Sequence, residues 1–152
     1  MQLVMRGKVH QVDDSGEFQK LQISFGEGNA RNKVSRIQNF GFTSHPPKNS
    51  EALCLFLGGN PDLPIALACD HAGKRVTGLK EGESAMYNAS DSKIELKQGG
   101  KITISNGTLD LICVLTDLAD QVSQITTSPS GGLILNQAPL MQIAQKLRTF
   151  QS

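Results

Sequence analysis

Apolar and polar positions along this chain follow three successive rhythms. In residues 1–75, short apolar runs alternate with turn clusters. The pattern predicts strands at Arg6–Val12, Phe18–Phe25, Val34–Phe42, Ala52–Leu57 and Pro64–Cys69. Clusters rich in Gly, Asp, Asn and Pro at 13–16, 26–32, 45–50 and 58–62 separate them, as turns require. Leu21, Ile23 and Phe25 alternate as in a half-buried strand, whereas Leu53–Leu57 and Ile65–Cys69 read as buried on both faces. Five short strands in about 70 residues fit a compact barrel such as the OB-fold, though periodicity alone does not separate it from another small barrel.

Residues 76–108 carry shorter runs: Ser84–Tyr87, Lys93–Leu96, Lys101–Ile104 and Thr108–Leu111. Turns fall at 88–91, 98–100 and 105–107. Ile94 with Leu96, and Ile102 with Ile104, each put two apolar side chains on one strand face. So narrow a sheet has too little face to build its own core. Winding around two further copies would cover those residues; a pair of hairpins extending the barrel is the alternative.

From about Leu109 the period becomes helical. Leu111, Leu115, Leu118, Val122 and Ile125 follow one another at the 4-3-4-3 spacing of a coiled-coil seam. Ile112, Val114 and Ala119 widen it, and a Ser/Thr/Pro/Gly connector follows at 126–132. Asn136 is placed to cap a second helix with Pro139 in its first turn. Leu140, Ile143, Leu147 and Phe150 continue the helical rhythm. The chain thus reads as mainly β with C-terminal α: a barrel over 1–75, a narrow sheet over 76–108, helices over 109–152. Ile94, Leu96, Ile102 and Ile104, with Leu111, Leu115, Leu118, Val122 and Ile125, are the expected interface between three copies. Leu140, Ile143, Leu147 and Phe150 either fold back on that bundle or meet another protein. A self-contained helical hairpin packed on the barrel is the alternative.

Composition supports sharing a core. With 38% hydrophobic residues, 5% aromatic and no Trp, the 152-residue chain is lean for a self-sufficient globule. Fifteen basic and 14 acidic residues give a net charge of +1, with no signature for nucleic acid or a membrane surface. No apolar window is long enough to span a bilayer, and the start Met-Gln-Leu-Val-Met-Arg lacks the layout of a signal peptide. Three cysteines without a CxxC pair suit a reducing compartment during synthesis.

Candidate chemistry is sparse. His10, His45 and His71 are scattered, and none has metal-ligand spacing with Cys, Asp or Glu. Gly58-Gly59 and Gly131-Gly132 lack the Lys-Ser/Thr continuation of a phosphate loop. Asp13-Asp14 has no partner acid or base at recognisable spacing. No catalysis, cofactor or metal is therefore expected. A single-stranded nucleic-acid-binding OB protein is the competing class, but it needs stacking aromatics and a basic groove. This chain has one Tyr, balanced charge, and Phe residues expected largely within apolar strands.

The run Phe40-Gly-Phe-Thr-Ser44, Pro46-Pro47, Glu51 opening a strand, and Gly58-Gly59 resembles the Mu-like phage baseplate spike proteins, the assembly protein V family. Met5-Arg-Gly-Lys-Val9 and Val12-Asp-Asp14 before it, and Gly78-Leu-Lys-Glu-Gly-Glu-Ser-Ala-Met-Tyr87 after it, complete an ordered set. That resemblance implies an OB barrel, a short intertwined three-chain β-helix and a homotrimeric central spike of a contractile-tail baseplate. Implied partners are the baseplate hub and other tail-tip proteins, with transient host-membrane contact through the assembled tail. The place implied is the virion baseplate, after synthesis in the bacterial cytoplasm; a tailocin or injection system would use the same trimer. The family's iron-binding His-x-His tip does not carry over, because no His follows His71.

Overall fold

The computed structural model describes residues 3–125 and 137–148, which fall into two compact units, Met1–Arg75 and Val76–Ser152. In the first unit, β1 (Val4–Asp13), β2 (Lys20–Ser24), β3 (Ala30–Arg36), β4 (Glu51–Phe56) and β5 (Pro64–Asp70) close into a barrel. The order around it is β1-β2-β3-β5-β4, with β1 also paired to β4. Only the β3–β5 ladder is parallel.

Alternation turns Met5, Gly7 and Val9 of β1 inward. A bulge between Val9 and Gln11 then shifts the frame, so that Val9 pairs with Ile23 and Val12 with Leu21. Val9, Leu21, Ile23, Val34, Ala52, Cys54, Phe56 and Ala66 form the core, with Met5, Val12, Phe25 and Cys69 packed against it. The Phe25 and Phe56 rings lie 5.3 Å apart and tilted by 59°, a geometry aromatic quadrupoles favour. Burial pushes the Cys54 thiol up to about 11, as befits a small hydrophobe rather than a nucleophile.

Three expectations change here. β4 and β5 are not buried on both faces in a single chain. Ala52, Cys54 and Phe56 point inward, whereas Leu53 is exposed and Leu55 half-buried. Alternation along β4 sends Ala52, Cys54 and Phe56 to the interior and leaves Leu53 on the outer face. The third strand runs Ala30–Arg36 instead of Val34–Phe42, because the Arg36 side chain bonds into the following loop. The six Phe residues are not largely in strands either: Phe18, Phe40 and Phe42 are exposed on loops.

The Pro-Pro segment closes the barrel wall. Ser50, fully buried, donates its hydroxyl to the Pro47 carbonyl at 2.7 Å. Val9 donates to the Ser50 carbonyl and Asn49 to the Val9 carbonyl, both at 2.8 Å. Two prolines limit the loop's unfolded freedom, and these bonds hold it against β1.

In the second unit β6 (Ser84–Tyr87), β7 (Lys93–Lys97) and β8 (Lys101–Ser105) form an antiparallel sheet. The fourth run, Thr108–Leu111, makes no strand beyond one bridge, Ser105 to Asp110. Asp110 instead caps α1 (Leu111–Ser123), its carboxylate accepting from the Ile112 and Cys113 amides at 2.9 and 3.1 Å. A carboxylate satisfying two orphan amides at a helix start outweighs one bridge. α2 spans Gln137–Arg148; Asn136, expected as its cap, lies outside the described residues.

The core depends on Gly7. A Cβ there would overlap Ile23 Cγ2 and lie 2.9 Å from both Phe25 Cδ1 and the Ser24 carbonyl oxygen. Because one obstacle is backbone, Gly7→Ala is expected to destabilise the barrel by about 1–3 kcal/mol. Urea unfolding of the purified variant checks this; an unchanged midpoint would contradict it.

Candidate assembly interface

Strand β7 sets the site. Lys93, Glu95 and Lys97 share one face of the sheet, Ile94 and Leu96 the other. Register then aligns Met86, Ile94 and Ile104 in one cross-strand row, and Leu96 with Ile102 in the next. Met86, Ile94, Leu96 and Ile102 are exposed and Ile104 half-buried. The structure thus brings together the four residues singled out from sequence and adds Met86, whose alternation with Ser84 was a signal left unused. The outer edges of β6 and β8 carry no strand partner among the described residues, apart from the Ser105–Asp110 bridge.

The opposite face is satisfied from within. Glu95 is only 5% exposed; it pairs with Lys93 at 3.2 Å and Lys97 at 3.4 Å, and accepts from the Thr103 hydroxyl at 3.1 Å. Burial raises the Glu95 carboxyl, but the bonds from Lys93 and Thr103 and the Lys93 and Lys97 charges outweigh it, so the net displacement is downward. Glu83 ties the sheet's turns, accepting from the Lys80 amide at 2.9 Å and the Gln98 amide at 3.1 Å.

Helix α1 presents two apolar stripes. Leu111, Val114 and Leu118 lie on its more buried side. Val114 and, on α2, Ile143 are buried where the helices pair as a hairpin within the chain. Lys146 of α2 lies 3.7 Å from Asp117. Leu115 and Val122 remain 45% and 51% exposed, beside exposed Ile112. The heptad seam is therefore divided: Leu111 and Leu118 are half-buried, and Leu115 and Val122 face out. Ile125 is exposed and Leu140 half-buried. The Leu147 side chain and Phe150 lie outside the described residues.

A third feature escaped sequence reasoning. After β3 the chain forms a loop held by side-chain bonds. Arg36 donates to Gln19 Oε1 at 2.8 Å, to the Ser44 carbonyl at 2.6 Å and to the Ser44 hydroxyl at 2.9 Å. Gln38 Oε1 accepts the Ser44 amide at 2.9 Å, while buried Gln19 donates to Asp14 at 2.9 Å and the Ser44 carbonyl at 3.1 Å. Gly41, at φ 86°, supplies the left-handed turn. Phe40, fully exposed, and Phe42 stand on this loop.

Among the described residues, no three His, Cys, Asp or Glu side chains gather as a metal cluster. His45 is exposed, His10 bonds the Ser24 hydroxyl at 2.7 Å, and His71 holds a buried Nδ1 without a protein partner. No described helix is long and apolar enough to cross a membrane.

The described residues thus define a small β-barrel protein that also carries a narrow sheet with a bare apolar face. Residues 6–73 match the family described as Bacteriophage Mu Gp45, N-terminal. The chain is 32% identical over 115 residues to the Mu-like prophage FluMu protein gp45 of Haemophilus influenzae, covering 71% of this chain and 63% of that protein. It is 28% identical over 109 residues to the baseplate puncturing device gp45 of Escherichia phage Mu, covering 72% of this chain and 55% of that one. Residues 6–73 of the chain thus share the N-terminal region described for Bacteriophage Mu Gp45. The chain spans between half and two thirds of the length of these relatives.

The Glu95 pairing predicts a pH dependence. Its folded pKa lies below the ordinary 4.5, so its contribution is complete above that value and lost as pH falls through the folded one. Acid unfolding followed by circular dichroism should show this loss below about pH 4.5 in the native chain. Glu95→Gln should lack that component; an identical acid profile for the variant would refute the assignment.

Proposed function

We propose that this chain is the homotrimeric central spike or hub component of a contractile-tail baseplate. One observation carries the trimer: a narrow sheet whose polar face is satisfied internally, while among the described residues its apolar face is bare and both long edges lack strands. Three copies wound about one axis would turn Met86, Ile94, Leu96, Ile102 and Ile104 inward, and join the β8 edge of one chain to the β6 edge of the next. At strand spacing, three strands per chain advance such a prism by roughly 14 Å. In the same assembly the outward stripe of α1, Ile112, Leu115 and Val122, would line the axis, with α2 outside it.

We read the barrel as an OB-fold, since five strands in the order β1-β2-β3-β5-β4 closed by β1 with β4 are that fold's topology. Three barrels would form a collar that docks on the hub and other tail-tip proteins, and sheath contraction would drive the spike into the host envelope. The name of the phage Mu relative, a baseplate puncturing device, supports this reading. The work is mechanical: interchain backbone bonds and a shared core supply stiffness where an enzyme would supply a reactive group. A tailocin or injection system would use the same trimer.

Light scattering of the full chain should give the mass of a trimer that dissociates slowly, because folding and assembly are one event. Leu96→Asp would place three like charges near one axis, at several kcal/mol per ion. Its expected outcome is loss of the trimer. A stable folded monomer of the native chain at micromolar concentration would overturn the proposal.

The exposed Phe18, Phe40 and Phe42 favour one second reading, a single-stranded nucleic-acid-binding barrel. The nearby basic residues oppose it: Arg36 is engaged with Gln19 and Ser44, and Arg31 with Asn29 and the Pro61 carbonyl. Titration with single-stranded DNA is expected to show no tight binding; salt-sensitive binding would reverse the ranking.

A further inference from the structure

We propose that the Phe40–Phe42 loop of each barrel docks on the outer β4–β5 face of the next barrel in the trimer. The proposal rests on the trimer reading and assigns the contact that closes its collar. Among the described residues, two unlike patches on the barrel lack a cover. One is the protruding aromatic loop, with Phe40 fully exposed and Phe42 and Ile37 largely so. The other is aliphatic and flat. Leu53 pairs with Ala68 and Cys54 with Ala66, so Leu67 is the extra residue of a bulge. That bulge turns both Leu67 and Ala68 outward, and leaves Leu67 49% exposed beside Leu53.

The loop is prepared for docking. Arg36, Gln38 and Gln19 fix its backbone before any partner arrives, so little ordering remains to be done on binding. A rigid aromatic on such a loop is the usual anchor of an interface.

The occupant follows from symmetry. A closed ring joins two different patches of the same chain, head to tail. In a ring of three, a subunit's two neighbours lie about 60° apart as seen from its centre, so the patches must adjoin without overlapping. Both border β5 here: Ile37, which opens the loop, donates its amide to the Ala66 carbonyl at 3.0 Å, one residue before Leu67. A second copy covers both patches with one contact. A different tail protein seated on the aromatic loop would leave the leucine face bare.

The test uses the full chain carrying Phe40→Cys and Leu67→Cys, with Cys69→Ala and Cys113→Ser; native Cys54 is buried and stays. Both new thiols replace exposed side chains, so the fold is expected to persist, and circular dichroism verifies that. Treatment with a short bismaleimide should give a covalent trimer on a denaturing gel, and each single-cysteine control should stay monomeric there. Native mass spectrometry is run alongside. A trimer by mass that gives no interchain product overturns the loop contact and leaves the trimer reading standing. A monomer by mass overturns both.

Discussion

The constraint on which this structure turns is an imbalance between the two faces of one small sheet. Lys93, Glu95, Lys97 and Thr103 satisfy one another on the first face. No described residue of the chain covers Ile94, Leu96 and Ile102 on the second. Burying an aliphatic side chain of that size is worth about 1.5–3 kcal/mol, and three strands offer no other way to realise it. The polar face resists turning inward because its charges are already paired. Association is the outcome such a sheet favours, and the helical hairpin repeats the theme with one stripe used and one bare.

The barrel answers a different problem. Alternation in β4 and a bulge in β5 turn Leu53 and Leu67 outward, so the interior fills with Val9, Leu21, Ile23, Phe56 and small residues such as Ala52 and Ala66. Gly7 lets β1 pass against Ile23 and Phe25. Bulges in β1 and β5 re-aim side chains where strict alternation would misplace them. The result is closely knit at the point where the Pro-Pro loop is sewn to β1. The buried Cys54 thiol, pushed up to about 11 by burial, belongs to the same packing.

Side-chain hydrogen bonds decide what the barrel displays. Arg36 sits where β3 should continue, yet it ends the strand by bonding Ser44 and Gln19. Guanidinium geometry suits this, because one planar fork serves several oxygens at once. The cost is a solvent-exposed Phe40; the gain is a loop of defined shape. The same bonds occupy a cation that a nucleic-acid groove would leave available.

Much was legible in the sequence, because local patterns carry it. Short apolar runs between turn clusters placed β1, β2, β4, β5 and the three strands of the sheet, and alternation put Ile94, Leu96, Ile102 and Ile104 on one face. Turn residues located the breaks, and the helical rhythm located α1 and α2. Tertiary structure alone decided the rest. Whether a leucine points into a barrel depends on which face the closed sheet turns inward and on bulges such as that at Leu67, which no single strand encodes. The end of β3 depended on Arg36 meeting Gln19, 17 positions earlier in the chain. The division of the α1 seam depended on which side α2 approached, since a wide apolar stripe accepts a neighbour from either flank. Local periodicity states which side chains avoid water; only long-range contact states which neighbour each one avoids it with.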